Sequence, residues 1–317
     1  MSDEHCHTPV LLDACLDALS VRPDGIYIDG TLGRAGHASE IARRLESGRL
    51  IGIDRDPAAL AASAQRLQPW RDRVTLLHGS FADLDSLLDS VGVRAADGML
   101  FDLGVSSPQL DDPSRGFSYL HDAPLDMRMD PASPLSASVV VNTWSADELR
   151  RILYEYGEER YAPAIARAIV RARTERPIRT TGELAGLIRA AMPSRALREK
   201  QHPAKRSFQA IRIAVNGELD ALEPMLRSAV RRLCPGGRLA VITFHSLEDR
   251  IVKRTLKTFE QGCVCPPDFP VCVCGRRPVV RPLTRKPVTP GEAELQANPR
   301  SRSAKLRAVE KIDTFDI

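Results

Sequence analysis

The segment at 26–37, IYIDGTLGRAGH, constrains the fold of this chain more than any other. A short β-branched apolar run ends at Asp29 and gives way to a glycine-rich loop, after which residues 38–45 show helical periodicity. This order predicts a strand, a tight turn and the start of a helix. Backbone N–H groups at such a helix start can bind a carboxylate or a phosphate, and glycines let a ligand approach the main chain. The segment therefore predicts a cofactor-binding loop.

A second apolar strand, 49–53, ends in Asp54, about one βαβ unit after Asp29. In an open α/β sheet an acid at this place accepts hydrogen bonds from ribose hydroxyls. The loop has the spacing G-x-x-G-x-x-G rather than the dinucleotide pattern G-x-G-x-x-G, which argues against hydride chemistry. Together the two strands predict a nucleoside-binding unit. An alternative interpretation of Asp54, as the N-cap of a helix starting at Pro57, stays open here.

Two further predicted strands also have polar or aromatic residues at their ends. Phe81 follows the third strand and Asp102 ends the fourth. Since ligands of parallel sheets bind outside the carboxyl ends of the strands, Asp29, Asp54, Phe81 and Asp102 are expected to lie together. Phe81 would either pack on an adenine or belong to the core, and the sequence does not decide between these roles.

The turn after the fourth strand reads Ser-Ser-Pro-Gln at 106–109. It resembles the Ser/Asp/Asn-Pro-Pro-aromatic loop of enzymes that methylate exocyclic amines, in which oxygen atoms accept the hydrogens of the amine. The lone pair of an aromatic amine is delocalised into the ring, so these hydrogen bonds and precise alignment promote its attack. Here Gln109 stands in place of the second proline and Leu110 in place of the aromatic residue.

Motifs of one known family run through nearly the whole chain. They are DGTLGRAGH at 29–37, IDRDP at 53–57, GSF at 79–81, DLGVSSPQLD at 102–111, RGFSY at 115–119, PLDMRMD at 124–130, HPAKRSFQAIRIAVN at 202–216 and FHSLED at 244–249. Together they resemble the bacterial RsmH (MraW) family. The resemblance implies an α/β class I S-adenosylmethionine-dependent methyltransferase that modifies N4 of a cytidine in the decoding centre of 16S rRNA.

The resemblance also implies a set of site residues. Cofactor contacts are expected at Ala35, Gly36, His37, Asp54, Phe81, Asp102 and Gln109. Asp102 and Ser107 are expected to act on the acceptor amine. The family usually has glycine where this chain has Ala35, and alanine would be strained there if the backbone needs a positive φ.

The expected fold is a Rossmann-like sheet of seven strands, one of them antiparallel, with an inserted helical domain. The predicted strands are 26–29, 49–54, 74–78, 98–102, 238–244, 283–288 and 306–312. The methyltransferase domain would comprise 1–110 and 216–317, and the insert 111–215. Sequence patterns predict capping boxes at Ser145 and Thr180 in the insert and at Ser246 after the fifth strand. His245 would either position the base or cap that helix.

Positive charge is concentrated in two segments. Residues 150–212 contain 15 Lys/Arg and 6 Asp/Glu, and residues 276–311 contain 10 and 3, although the net charge of the chain is only +4. This distribution predicts two surfaces that bind a polyanion, here the 16S rRNA of the small ribosomal subunit. Arginines on solvated helix faces are the alternative. Four aromatic residues of the insert would either stack on bases or belong to its core: Tyr154, Tyr156, Tyr161 and Phe208.

The remaining composition points to a cytoplasmic protein. The N-terminus lacks the features of a secretory signal, and no apolar run is long enough to span a membrane. The seven cysteines fit reduced thiols better than a disulfide framework. Two C-x-C pairs, Cys263 with Cys265 and Cys272 with Cys274, would converge on a zinc ion if the segment forms a hairpin, or else belong to a reduced loop. Cys6, between His5 and His7, resembles a metal cluster, but a disordered terminus, or a His7 near the cofactor, is favoured.

Two rival functions remain at this stage. One is a DNA cytosine-N4 methylase, which would use the same chemistry on another nucleic acid. The other is an rRNA-binding assembly factor without catalytic activity. The sequence predicts no oligomeric state.

Overall fold

The computed structural model describes residues 9–263, 265–266, 269–271 and 273–312, and its centre is a seven-stranded sheet. The strands are β1 (Ile26–Asp29), β2 (Arg49–Asp54), β3 (Val74–His78), β4 (Ala96–Asp102), β5 (Leu233–Thr243), β6 (Val280–Pro282) and β7 (Lys305–Lys311). Their order is β3-β2-β1-β4-β5-β7-β6. Neighbours among β1 to β5 are parallel, and β7 runs antiparallel to both β5 and β6. The predicted class I methyltransferase fold, with one antiparallel strand, is confirmed.

The chain divides into two compact units. The first contains the sheet and comprises the described residues up to Gly104 and from Leu219 onward; the second is Val105–Glu218. Helices α1 (Leu12–Leu19), α2 (Gly36–Arg44), α3 (Pro57–Arg66) and α4 (Leu84–Ser90) belong to the first unit. The second holds α5 (Ser107–Asp111), α6 (Ala137–Thr143), α7 (Ala146–Glu155), α8 (Ala162–Glu175), α9 (Thr181–Ala191) and α10 (Lys205–Asn216). The first unit then adds α11 (Leu222–Arg232), α12 (Ser246–Glu260) and α13 (Glu292–Ala297).

The central strands of the first unit are buried on both faces. Strands β2 and β4 read as continuous apolar runs because helices cover both sides of a parallel sheet. Tyr27, Ile28, Leu50 and Phe101 are almost completely inaccessible to solvent. A rigid buried sheet fixes the positions of the residues at its strand ends.

The second unit has its own apolar core, formed mainly by its helices. A segment at 112–130 without α-helix is held by side-chain hydrogen bonds rather than by regular structure. Asn216, the last residue of α10, donates to the carbonyl of Met127 and accepts from the N–H of Met129, both at 2.8 Å. Arg115 donates to the carbonyls of Arg128 and Met129. Motifs of the family resemblance at 115–119, 124–130 and 202–216 thus meet within this unit.

The structure moves the predicted boundary of the insert. The unit begins at Val105 rather than 111 and ends at Glu218 rather than 215. Capping boxes at Ser145 and Thr180 start α7 and α9 as predicted. In the part of the chain that the structure describes, no helix is both long and apolar enough to cross a membrane.

Two local predictions in the first unit are wrong. The sixth strand is Val280–Pro282 rather than 283–288, because Leu283 and Thr284 both donate to the carbonyl of Ala308 and so leave the regular ladder. The box that caps α12 consists of His245 and Glu248, one residue before the predicted pair Ser246 and Asp249.

The carboxylate of Asp249 explains the shift in that cap. It lies 2.7 Å from the guanidinium of Arg307 and 3.2 Å from the ammonium of Lys305, both on β7. These cations compete with the helix N-terminus for the carboxylate. Asp249 therefore joins the helix to the sheet instead of capping it.

Candidate functional site

The glycine-rich loop after β1 is fixed to the strands on both sides of it. The N–H of Gly30 donates to the carbonyl of Leu100 on β4 at 2.9 Å, and the N–H of Leu32 donates to the carbonyl of Ile53 on β2 at 3.0 Å. A Cβ at Gly30 would lie 2.2 Å from the ring of Phe101, so only glycine fits there. The loop is therefore held across the tips of three adjacent strands, as the sequence predicted for a βαβ turn.

Asp54 organises the end of β2 together with this loop. Its Oδ2 accepts from the N–H of Gly33 at 2.7 Å and its Oδ1 accepts from the N–H of Asp56 at 2.8 Å. Gly33 has φ +53°, a conformation that glycine adopts without strain. The N-cap of α3 is Asp56, whose side chain accepts from the N–H of Ala58, so the alternative role of Asp54 as that cap is wrong.

Asp29 and Asp102 lie at the ends of neighbouring strands; Asp29 is buried, whereas the side chain of Asp102 is 26% exposed. Burial raises the pKa of Asp29 to about 7, and the nearby Asp54 adds to this effect while the N–H of Thr31 opposes it. Burial raises the pKa of Asp102 to about 8, with further contributions from Asp29 and Glu248. No lysine or arginine among the described residues forms an ion pair with Asp29, Asp54 or Asp102.

One oxygen of Asp102 lacks a partner. Its backbone N–H donates to Oγ1 of Thr31, which fixes the end of β4 against the loop. Within the described residues, the buried Oδ1 of Asp102 has no hydrogen-bond partner. A buried carboxyl oxygen without a hydrogen bond or a cation is costly to maintain and is typical of functional sites. Asp29, Asp54 and Asp102 therefore form a cluster of carboxyls with raised pKa values, whose ionised forms a ligand with positive charge would stabilise.

His37 lies in the first turn of α2, beside this cluster. Its Nε2 is 2.9 Å from the carbonyl of Val10, which can only accept, so Nε2 carries the proton. Its Nδ1 lies 3.9 Å from Oδ2 of Asp102. Burial lowers the pKa of His37 to about 4, so the ring is neutral at pH 7 and gives Asp102 no counter-charge.

Ala35 is the N-cap of α2 and has φ +57°. A residue with a Cβ costs about 1–2 kcal/mol in this left-handed conformation, so the strain predicted for alanine at this position is present. Ala35 has no polar side chain to cap the helix, so the first N–H groups of α2 receive no cap from it. These donors can serve a ligand carboxylate.

Phe81 lies at the start of a short 3₁₀ turn after β3 and is only partly buried. Its ring meets that of Phe101 edge to face at 6.1 Å, and the guanidinium of Arg55 lies 5.6 Å from its centroid. Both roles predicted for this ring are compatible with its partial exposure.

Ser107 and Gln109 belong to the second unit, where they form the first turn of α5. Oε1 of Gln109 accepts from the N–H of Ser106 at 3.0 Å as part of a capping box. The predicted turn is thus a helix start. The assignments of Ser107 to the amine and Gln109 to the cofactor stay predictions.

Sequence reasoning missed three residues that shape the site. Thr31 holds the end of β4, and Arg55 covers Phe81. Glu248 is buried, accepts from the N–H groups of Phe244 and His245, and raises the pKa of Asp102. The glycine-rich motif contains Thr31, so this motif was the signal that could have identified it. The proximity of Glu248 to Asp102 could not be predicted without knowing that β4 pairs with β5.

The first basic segment, 150–212, is partly neutralised within the second unit. Ion pairs involve Arg150, Arg151, Arg176 and Arg212. The other Lys and Arg of this segment form no ion pair with a described residue. A surplus of positive charge therefore remains on this unit.

The aromatic residues of the insert differ in exposure. Phe208 is 3% exposed and packs edge to face with Tyr119, so of its two predicted roles the structure supports the core role. Tyr156 and Tyr161 are partly buried against the core. Tyr154, at 68% exposed, has an accessible ring.

Comparisons with a family model and with individual proteins agree on one family of methyltransferases. The MraW methylase family model matches residues 4–312. The ribosomal RNA small subunit methyltransferase H of Symbiobacterium thermophilum is 60% identical over 307 residues, covering 96% of each chain. The protein of the same name from Brevibacillus brevis is 54% identical, covering 96% of this chain and 98% of its own.

Solved structures found by fold comparison are more distant. An rRNA methylase from Streptococcus thermophilus is 12% identical with a TM-score of 0.42, covering 94% of this chain and 93% of its own. The family match spans almost the entire chain, and the relatives are more than half identical. The chain therefore belongs to the MraW methylase family, and S-adenosylmethionine is the methyl donor of its reaction.

Proposed function

We propose that this protein transfers a methyl group from S-adenosylmethionine to N4 of a cytidine in the decoding centre of 16S rRNA. Two facts support this specificity: the motif resemblance, and relatives whose names state a ribosomal RNA small subunit methyltransferase. The observation that carries the proposal is the cluster of Asp29, Asp54 and Asp102 at neighbouring strand tips, which lacks an ion-pairing lysine or arginine among the described residues.

The residues present fit a cationic adenosyl donor. S-adenosylmethionine supplies an electrophilic methyl group on a positively charged sulfonium when bound. Asp54 would hold the ribose, because a carboxylate has about four acceptor positions and two N–H groups use only part of them. The loop of Ala35, Gly36 and His37 would hold the methionine end of the donor, and Phe81 would pack on its adenine.

Asp102 would serve both the cofactor and the acceptor amine. Its unpartnered Oδ1 is an acceptor in a dry environment, where one hydrogen bond is worth more than in water. A positive charge beside Asp102 favours its ionised form, which accepts from an amine N–H better than the neutral acid does. Ser107 and Gln109, in the first turn of α5, would complete the alignment of the amine.

The chemistry demands little of a general base. Methyl transfer leaves a positive charge on the alkylated amine nitrogen, and this cation is acidic, so its surplus proton leaves readily. His37 is protonated on Nε2 and bound to a carbonyl, so we assign it a structural role in the loop rather than proton transfer. The protein contributes mainly position and electrostatic stabilisation.

The substrate would be a flexible region of 16S rRNA in the small ribosomal subunit, in the cytoplasm. A base must be unpaired or flipped out to reach a strand-tip pocket, which costs a few kcal/mol in a duplex. The basic residues of 150–212 that lack an acidic partner would contact phosphates, and the exposed ring of Tyr154 is available for stacking.

The direct test is methylation of small ribosomal subunits from cells that lack this gene. The purified protein and S-adenosylmethionine should produce N4-methylcytidine at one site of 16S rRNA, detected by mass mapping of nucleosides. Naked 16S rRNA, tested in parallel, shows whether assembly of the subunit is required. Absence of the modified nucleoside from both substrates would reject the proposal.

Two further assays separate the rival functions. Transfer to duplex DNA but not to ribosomal particles would identify a DNA cytosine-N4 methylase. RNA binding without calorimetric binding of S-adenosylmethionine would identify an assembly factor that has lost its catalytic activity. RNA affinity should fall steeply with salt if the basic residues contact phosphates.

A further inference from the structure

A loop between α12 and β6 brings several thiols together, far along the chain from the strand-tip aspartates. Three of its cysteines are described: Cys263, Cys265 and Cys274. Their sulfur atoms all lie within 4.8 Å of one another. Cys272 has the same C-x-C spacing with Cys274 but lies outside the described residues. Three thiols from two separate parts of the loop therefore lie close enough together to bind one ion.

The sulfur separation fits ligands of one metal ion. The Sγ atoms of Cys263 and Cys274 are 3.8 Å apart. Tetrahedral zinc with Zn–S bonds of about 2.3 Å places neighbouring thiolates about 3.8 Å apart. A disulfide would need about 2.05 Å, so this contact is not a disulfide bond.

The backbone of the loop is already arranged around one sulfur. The N–H of Cys265 points at Sγ of Cys263, with a separation of 3.3 Å. Such a donor stabilises negative charge on sulfur and orients a thiolate ligand. Arg276, two residues after Cys274, adds positive charge near the site in sequence.

Regular secondary structure does not hold the described part of this loop. The described residues between 261 and 279 include no helix or strand, and three large apolar side chains there are exposed: Phe269, Val271 and Val273. A hydrogen bond from the N–H of Val279 to the carbonyl of Phe259, at 2.9 Å, joins the two ends of the loop. A segment that buries so little apolar surface is typically held by a metal or by disulfides.

We propose that Cys263, Cys265 and Cys274 bind a structural Zn²⁺ ion through their thiolates. Binding replaces three S–H bonds with three S–Zn bonds and releases three protons, with no transfer of electrons, and a fourth ligand such as water completes the tetrahedron. The ion closes the loop between α12 and β6 and fixes the start of the basic segment 276–311. The site is independent of the methyl-transfer centre, so it stands even if the proposed substrate is wrong.

The test is the metal content of the full-length protein after purification in reducing buffer without chelator and equilibration with zinc. We expect about one equivalent in the wild type and less than about a tenth in Cys263→Ser and Cys274→Ser. Cys234→Ser is the matched control, because Cys234 lies in β5 outside the loop and should leave the zinc content unchanged. Less than about half an equivalent in the wild type, or full retention in Cys263→Ser, would overturn the proposal.

A second readout guards against misfolding of the variants. Cobalt in place of zinc should give thiolate-to-metal charge-transfer bands in the wild type and Cys234→Ser, and none in Cys274→Ser. Binding of S-adenosylmethionine by all three proteins shows that each is folded. Equal cobalt bands in the wild type and Cys274→Ser, with donor binding intact in both, would contradict the assignment of this ligand.

Discussion

Carboxyl groups at the strand tips of the first unit differ from those in the irregular segment 112–130 of the second unit in the direction of their pKa shifts. At the strand tips of the first unit, burial raises the pKa of Asp29, Asp54 and Asp102. In the irregular segment of the second unit, Arg128 and backbone N–H groups outweigh partial burial and hold the pKa of Asp126 below its usual range. Hydrogen bonds from the side chain of Thr180 and the N–H of Gly182 also lower the pKa of Asp122.

The contrast separates structural carboxyls from functional ones. Asp126 has a cation and donors within the protein and therefore stabilises its own segment. Asp102 has neither for its Oδ1, so its ionised form destabilises the folded protein until a ligand supplies positive charge. An ionised carboxyl without a partner at the strand tips lowers the stability of the folded protein, and the function of the site requires such a group.

The largest expected effect is on catalysis. Asp102→Asn keeps the shape of the side chain and removes its charge, so methyl transfer should fall by about 10²–10³-fold or more. Asp102→Ala should abolish it. The single-turnover rate with labelled donor and ribosomal subunits measures this, and Asp126→Asn serves as a control that should keep most of its activity. Near-normal turnover in Asp102→Asn would remove Asp102 from the mechanism.

The next effect concerns stability and pH in the absence of ligand. The raised pKa of Asp102 means that the folded state binds more protons than the unfolded state between about pH 4 and 8, so stability falls as pH rises through this window. Asp102→Asn cannot ionise, so it should exceed the wild type by on the order of 2–5 kcal/mol at pH 9 and by much less at pH 5. Urea denaturation at both pH values measures the difference. An equal difference at pH 5 and pH 9 would contradict the raised pKa.

Asp126→Asn should act in the opposite direction. Because the folded-state pKa of Asp126 is lowered, its charge stabilises the protein at neutral pH, and this contribution disappears as pH falls through that lowered pKa. The variant should lose about 1–2 kcal/mol at pH 7. Asp147→Asn, at an exposed pair with Arg150, should change stability little. If the two variants were equally stable at pH 7, the structural role of Asp126 would be excluded.

The smallest expected effect compares one substitution in the two units. Gly33→Ala in the loop has room for a Cβ but keeps φ +53°, so it should cost about 1 kcal/mol. Gly186→Ala in helix α9 also has room and should gain about 0.5–1 kcal/mol, because alanine favours a helix. Thermal unfolding of both variants measures this. A gain in stability for Gly33→Ala would show that the loop conformation tolerates a side chain.

Much of the fold could be predicted from short patterns. Apolar runs ending in Asp29, Asp54 and Asp102 located three strand ends, because continuous apolar runs are typical of buried parallel strands. The short edge strand β6 could not be located, because its position depends on pairing with β7 rather than on its own sequence. The cap of α12 was misplaced by one residue, because ion pairs from β7 to Asp249 are long-range contacts.

The candidate site shows the same limit. Local motifs indicated Asp54, His37 and the glycine-rich loop, whereas the pKa of Asp102 depends on burial and on Glu248, more than 100 positions away in sequence. The helical spacing of Phe208 fits both a core and a stacking residue, and only its burial in the folded unit decides for the core. Sequence patterns indicate where the titratable side chains of the site lie, but the charge state of these side chains depends on how the folded protein packs around them.

The most direct test of the account is the affinity for S-adenosylmethionine as a function of pH, in the wild type and in Asp102→Asn. The amino group of the donor also titrates near pH 8, so only the difference between the two proteins reports on Asp102. If the strand-tip carboxyls hold a cation, wild-type affinity should rise by about tenfold more than that of Asp102→Asn between pH 6 and 9. Parallel affinity curves for the two proteins would contradict the central claim.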